Sequence, residues 1–283
     1  MISAGLPRFS EVPLEAFYFM SIETLIVTVD RDSDAVVREM NVQTDAIVGN
    51  QCAENSVWIF CENGRKTVFY NTADRGIGKN RNIVLKNSQA DICVFADDDM
   101  VFLDGYPEIV QRAFAECYDG DVLIFNLVEK EPRRYVNREK KRIHKYNYAK
   151  YGAARMAIRR QSIIDSGISF STEFGGGSGY GAGEDTIFLK DCLDWGLKIY
   201  AVPYALAEID QQSVSTWFNG YNEKYFFDRG ALYARLYPRF WELFCVRFLL
   251  RHRKKYKDSM DFWAALKSMR LGAKEYGAEG EKR

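Results

Sequence analysis

The chain has only two histidines, His144 and His252, and both sit inside basic stretches. A Ser-His-Asp triad or a His-rich zinc site is therefore not expected. The six cysteines, Cys52, Cys61, Cys93, Cys117, Cys192 and Cys245, form no C-x-x-C pair and no ligand-like spacing. Cys93, Cys117 and Cys192 fall within apolar patterns, where a reduced thiol packs as a small hydrophobe. A cytoplasmic setting is the simpler expectation. Neither charge is in excess, with 39 Lys+Arg against 39 Asp+Glu, so no global field calls for a nucleic-acid partner. No apolar run approaches the roughly 18 residues of a membrane span. The N-terminus lacks a basic stretch followed by an apolar core, so no secretory signal is expected. There is no G-x-x-x-x-G-K-[ST] loop, and the Gly76-x-Gly78 turn is not completed to G-x-G-x-x-G. The chemistry must rest on carboxylates, a cation and basic groups.

The 283 residues, 47% hydrophobic and 28% charged, suit one large domain or one domain with a helical appendage. Residues 24–29, 45–48, 66–70, 92–96 and 122–127 read as strands. Helices are expected at 34–43, at 79–88 and from Pro107 onward, the last with apolar positions at Val110, Ala113, Phe114 and Cys117. Alternation of strand and helix argues for an α/β fold with a mostly parallel sheet and right-handed crossovers. Beyond residue 150 a strand is expected near Arg155–Arg159, a helix after Gly183 that stops at Gly196, and a strand over 197–202. From Tyr221 the pattern is helical, aromatic and increasingly basic. We expect a catalytic domain over residues 1–230 and a helical, basic extension over 231–283 packed on it.

The most informative feature is Phe95-Ala96-Asp97-Asp98-Asp99. Three carboxylates directly after a buried strand cannot stay buried together, so they face either solvent in a turn or a cation. Ligands bind at the carboxyl ends of strands in open α/β sheets, and carboxylates with substrate phosphates hold Mg²⁺. A second feature is the helix start at Arg75-Gly76-Ile77-Gly78-Lys79-Asn80-Arg81-Asn82, either a solvated basic turn or an anion site at a positive dipole end. A third is Glu184-Asp185, which follows six glycines in the nine positions 175–183. It can cap a helix or supply a general base toward a hydroxyl. Asp210, just past a strand, is either an exposed loop residue or a third metal ligand.

Together these segments resemble a family-2 glycosyltransferase of the GT-A fold. The residues that carry the resemblance are Arg75 to Asn82, then Ala96-Asp97-Asp98-Asp99, then Gly183-Glu184-Asp185, in that order. Residues 41–47 and 215–222 resemble the bacterial branch associated with capsular and exopolysaccharide synthesis. The chain departs from the family pattern in three places. Thr28-Val29-Asp30-Arg31 stands where a Pro-Thr-Tyr-Asn type of loop is common. Asn50-Gln51 stands where an Asp often reads the nucleotide base. Asp210 or Gln211 stands where many members place a metal-binding His.

The resemblance implies a metal-dependent, inverting transfer of a sugar from a nucleotide-sugar, a UDP-sugar, to a hydroxyl of a glycan acceptor carried on lipid. Asp99 and Asp97, with Asp210, would hold Mg²⁺ or Mn²⁺. Asn50, Gln51, Arg75, Lys79, Arg81, Asp97 and Asp98 would line the donor, and Asp185, beside Glu184, would take the acceptor proton. Tyr180, Trp217 and Tyr221 are expected to stack on sugar. Two other readings remain: a nucleotidyltransferase, and a catalytically degenerate glycan-binding or scaffold subunit. Residues 240–257 combine Phe240, Trp241, Leu243, Phe244 and Leu250 with Arg247, Arg251, Arg253, Lys254 and Lys255. Such a helix either packs on the catalytic domain or lies peripherally on an anionic membrane surface.

Overall fold

The computed structural model describes residues 20–131, 134–209 and 220–280. A ten-stranded sheet forms its centre. The first strands are β1 (Ile22–Val29), β2 (Asp45–Gln51), β3 (Ser56–Glu62), β4 (Arg65–Thr72) and β5 (Ile92–Asp97). The remainder are β6 (Met100–Phe102), β7 (Val122–Val128), β8 (Lys141–Arg142), β9 (Met156–Arg159) and β10 (Ile199–Ile209). Their order is β3-β4-β2-β1-β5-β9-β7-β10-β6, with β8 on β10. β4, β2, β1 and β5 pair in parallel, as do β7 and β10. β9 joins the two runs antiparallel to both neighbours, so the sheet is mixed.

The central strands are β-branched and buried on both faces, as crossover-connected strands must be. Their pleat divides the core. Ile26, Val48 and Val94 point into one apolar layer, and Leu25, Val27, Ile47 and Phe95 into the other. The first layer is covered by α1 (Ala35–Glu39) and α3 (Tyr106–Glu116), which bring Val36, Val110 and Phe114. Over the second lie α2 (Ile77–Asn87), α4 (Arg160–Ser166) and α5 (Glu184–Trp195), with Val84, Ile163 and Phe188.

The expected strands and helices are present, with β1, β2, β4 and β10 longer than expected and the helix expected over 34–43 reduced to the five residues of α1. The structure adds β3, β6, β8 and α4. Its last helices are α6 (Glu223–Leu236), α7 (Trp241–Tyr256) and α8 (Phe262–Gly280). These share a core of Phe226, Cys245, Leu249, Tyr256 and Met269. α6 also packs Ala231, Leu232 and Leu236 against Phe174, Tyr180 and Ile187. A division at 230/231 would thus fall inside α6. Among the described residues, no helix is long and apolar enough to cross a membrane.

Candidate active site

Three consecutive residues of α2 fasten three parts of the chain. Asn80 donates to the Gly49 carbonyl at 2.7 Å. Asn82 exchanges two hydrogen bonds of 2.8 Å with the backbone of Phe170. Between them, Arg81 points to the carboxyl end of β5. Its side chain is only 3% exposed. Nη2 donates to Asp97 Oδ1 at 2.9 Å, and Nη1 donates to Glu184 Oε1 at 3.1 Å and to Asp185 Oδ1 at 2.5 Å. Burial works against the charge on Arg81. The attraction of Asp185, Asp97 and Glu184 outweighs it and raises the pKa above the ordinary arginine value.

A diphosphate is the expected partner of Arg81, but its fork is occupied by protein carboxylates. The start of α2 is also engaged. The Gly76 N–H donates to Gln51 Oε1 at 2.7 Å, and the Ile77 N–H to the Gly176 carbonyl at 2.9 Å. These acceptors take the place of the anion expected at that helix end. Lys79 and Arg75 remain half-exposed beside Asp74 and Asp30.

The three aspartates part company. Asp97 belongs to Arg81. Asp98 Oδ2 accepts from Thr28 Oγ1 at 2.5 Å and from Arg31 Nη2 at 3.4 Å. Asp99 Oδ1 is buried and has no hydrogen-bond partner. Burial first, and then the charge of Asp97, push the Asp99 carboxyl up to about 6. A buried carboxylate oxygen without a donor, beside a second carboxylate, suits a hard divalent cation. Asp99 and Asp97 are the residues present that fit one. Asp210, the expected third ligand, lies outside the described residues. Among the described residues, no three His, Cys, Asp or Glu gather as a metal site.

Glu184 and Asp185 open α5, where acidic side chains favour the helix dipole. The glycine-rich loop brings them close to α2. Gly175 has φ +105°, and a Cβ there would lie 2.7 Å from Ile77 and 2.8 Å from the Glu184 carboxyl carbon. Asp185 Oδ2 accepts the Ala153 N–H at 2.9 Å, and its side chain keeps 24% exposure. Burial raises the pKa of both carboxyls, and Arg81 pulls each back toward the charged form.

Asn50 and Gln51, expected at the nucleotide base, are buried and hydrogen-bonded to protein groups around them. Asn50 accepts from the Arg31 N–H at 3.0 Å and donates to the Arg31 carbonyl and to Asn71 Oδ1 at 2.7 Å each. Gln51 holds Gly76, as described. Two of the residues expected to stack on sugar lie against neighbouring aromatic rings. Tyr180 is 7% exposed and stacks on Phe174 at 4.7 Å. Tyr221 meets Tyr225 edge-on at 5.1 Å beside the C-terminal core. Trp217 lies outside the described residues. Thr28, Arg31 and the Ala153 amide join the site without having been expected there. Thr28 and Arg31 lie in the segment that departs from the family pattern, but nothing in their spacing signals a contact with Asp98. A cavity of about 630 Å³ lies along the later turns of α5, lined among others by Glu173, Asp191, Trp195 and Arg235, and touches none of the strand-end carboxylates.

Residues 44–171 match the model of the family described as Glycosyl transferase family 2. The fold is similar to that of S. aureus TarS. A TarS 1-349 structure in complex with UDP-GlcNAc superposes with a TM-score of 0.57 at 15% identity, covering 83% of this chain and 73% of that one. A TarS 1-349 structure in complex with UDP gives 0.56 at 14% identity, covering 93% and 92%. Against the longer TarS chain, this protein spans 50% of the length. No curated protein matches the sequence. The protein is a glycosyltransferase with a GT-A architecture. The family-2 match covers the segment from the start of β2 to the loop before α5.

Proposed function

We propose that this protein transfers a sugar from a UDP-sugar to a hydroxyl of a glycan acceptor, with inversion at the anomeric carbon, in surface polysaccharide synthesis of the capsular or exopolysaccharide type. The observation that carries this reading is the buried Arg81. It fixes Asp97 of the strand-end cluster and Asp185 of α5 to one guanidinium. A donor-side carboxylate and a base candidate are thereby held in register. The TarS complexes with UDP and UDP-GlcNAc support the choice of donor class by likeness of fold. Nucleotidyl transfer finds no comparable support, since it needs no second carboxylate opposite the strand end.

Asp99 and Asp97 would hold Mg²⁺ or Mn²⁺, which offsets charge gathering on the leaving diphosphate when bound. Asp185 accepts the acceptor proton as the hydroxyl oxygen attacks the anomeric carbon and the bond to the diphosphate oxygen breaks. Its Oδ2, held by the Ala153 amide, and its Oδ1, held by Arg81, stay aligned for that step. The cation of Arg81 pulls Asp185 toward its ionised form, against the larger effect of its burial. Lys79 and Arg75, half-exposed near the strand ends, supply positive charge for the diphosphate. The acceptor is read as a lipid-carried glycan at the cytoplasmic face of a membrane.

Calorimetry of UDP with Mn²⁺ tests this reading. Binding is expected with metal and not with chelator, and is expected to be lost in Asp99→Ala with the fold retained. Metal-independent UDP binding of equal strength in that variant would overturn the assignment of Asp99. Absence of any nucleotide-sugar binding by the native chain would overturn the function.

A further inference from the structure

α7 has a buried side and a solvent side. Cys245, Leu249 and Tyr256 face α6 and α8. The opposite stripe reads Leu243, Arg247, Leu250, Lys254, at intervals of four, three and four that share one helical face. Leu243 is 65% exposed and Leu250 is 63% exposed. Phe240, at the N-cap, is 63% exposed, and Arg251 flanks the stripe. Among the described residues, no carboxylate pairs with Arg247, Arg251, Lys254 or Lys255. The one acid of the helix, Glu242, is turned aside to Arg270 of α8, which donates to it at 2.8 Å through Nε. Arg253 is also turned aside, over the ring of Phe262 at 5.7 Å.

Large apolar side chains exposed between unpaired cations need a partner with both properties. A folded acidic protein would satisfy the cations and leave leucine and phenylalanine against a polar surface. A bilayer containing anionic lipid satisfies both, because the cations meet headgroups while the apolar side chains enter the acyl boundary.

We infer that the outer face of α7 is a peripheral docking surface for an anionic lipid bilayer, with Phe240, Leu243 and Leu250 entering the interface and Arg247, Arg251, Lys254 and Lys255 meeting headgroups. This deepens the proposed function, since it brings the site to a lipid-carried acceptor, and rests on that reading for its purpose only. The surface itself needs neither donor nor acceptor.

Co-sedimentation of the full chain with vesicles of phosphatidylcholine alone, or mixed with phosphatidylglycerol, tests it. Chelator is present throughout, so that divalent bridging does not contribute. Binding is expected only to the anionic vesicles and is expected to weaken as salt rises. Each cation replaced in the series Arg247→Gln, Arg251→Gln, Lys254→Gln and Lys255→Gln is expected to weaken partitioning about fivefold. A second variant, Leu243→Ser with Leu250→Ser, separates insertion from attraction. It is expected to bind less at every salt concentration while keeping the salt dependence. All these side chains are exposed, so unchanged thermal melting and unchanged UDP binding are expected and serve as the folding control. Equal recovery on both vesicle types, none on either, or full binding by the four-cation variant would overturn the inference. In each of these cases, intact Mn²⁺-dependent UDP binding leaves the glycosyltransferase reading standing. Loss of UDP binding with vesicle binding retained would do the reverse.

Discussion

Arg81 and Asp185 are 104 positions apart in sequence, yet Arg81 Nη1 lies 2.5 Å from Asp185 Oδ1. The same guanidinium reaches Asp97. One buried cation therefore sets the distance between the two halves of the candidate site. Its removal leaves three carboxylates facing one another without a counter-charge.

Arg81→Met is expected to destabilise the protein by about 3–5 kcal/mol, the cost of breaking a buried ion pair from one side. Arg81→Lys is expected to recover little, because an ammonium cannot reproduce the planar fork that reaches Asp97 and Asp185 together. Urea unfolding at neutral pH measures both. If Arg81→Lys is as stable as the native chain, the forked geometry is not what holds the cluster.

Asp185→Asn keeps the shape of the side chain and removes the proposed proton acceptor. The transfer rate should fall by about 10²–10⁴-fold, as for a lost general base, with donor affinity little changed. The expected kinetic signature is a lower kcat with nearly constant donor KM. If Asp185→Asn retains near-native turnover, the role passes to Glu184.

The pH dependence of stability tests the environment of Asp99. In the folded protein Asp99 holds its proton up to about pH 6, whereas in the unfolded chain it releases it near the ordinary carboxylate value of about 4. Between these values the folded state binds more protons, so stability falls as pH rises from about 4 to about 6. Above that window the cost is fully in place. In chelator, Asp99→Asn should remove this fall and stabilise the protein at pH 8 by on the order of 1–3 kcal/mol, with little effect at pH 4. Equal melting shifts at both pH values would contradict the assignment.

The sheet strands that bury both faces were legible, because short β-branched and aromatic apolar runs of this length have few alternatives. Val122–Val128 and Ile92–Asp97 are of this kind. β3 was not, since Val57, Ile59 and their neighbours alternate on an exposed edge. β6 and β8 are too short to carry a period. The motif residues Arg81, Asp97, Glu184 and Asp185 do converge, but their partners are not the expected ones. A sequence shows that Arg81 is cationic, not that it is enclosed by carboxylates from β5 and α5. The surroundings of the aromatics were not legible for a related reason. Tyr180 has the chemistry of a sugar platform, and only tertiary packing reveals that Phe174 already covers it.

Gly175→Ala probes the loop directly. The added methyl would meet Ile77 and the Glu184 carboxyl, at a backbone angle that alanine avoids. A loss of about 1–3 kcal/mol is expected from overpacking and strain, with reduced transfer because Glu184 and its neighbour Asp185 shift. Thermal melts and initial rates measure the two effects. By contrast, a methyl on Gly196, at the end of α5, would stand in open space. Gly196→Ala should therefore lose stability through backbone angle alone and leave the rate intact.

The antiparallel placement of β9 between β5 and β7 has a consequence for synthesis. As the chain leaves the ribosome, β1, β2, β4 and β5 can pair early, but β5 then presents an open edge until residues 156–159 arrive. Arg81 and Asp97 must wait longer, until α5 delivers Glu184 and Asp185, and β6 waits for the far end of β10 at residues 207–209. The end of the sheet that carries the candidate site is therefore among the last parts to close, and long-range closure of this kind is slow. A nascent chain halted near residue 171 would hold the whole family-matched segment and no working site.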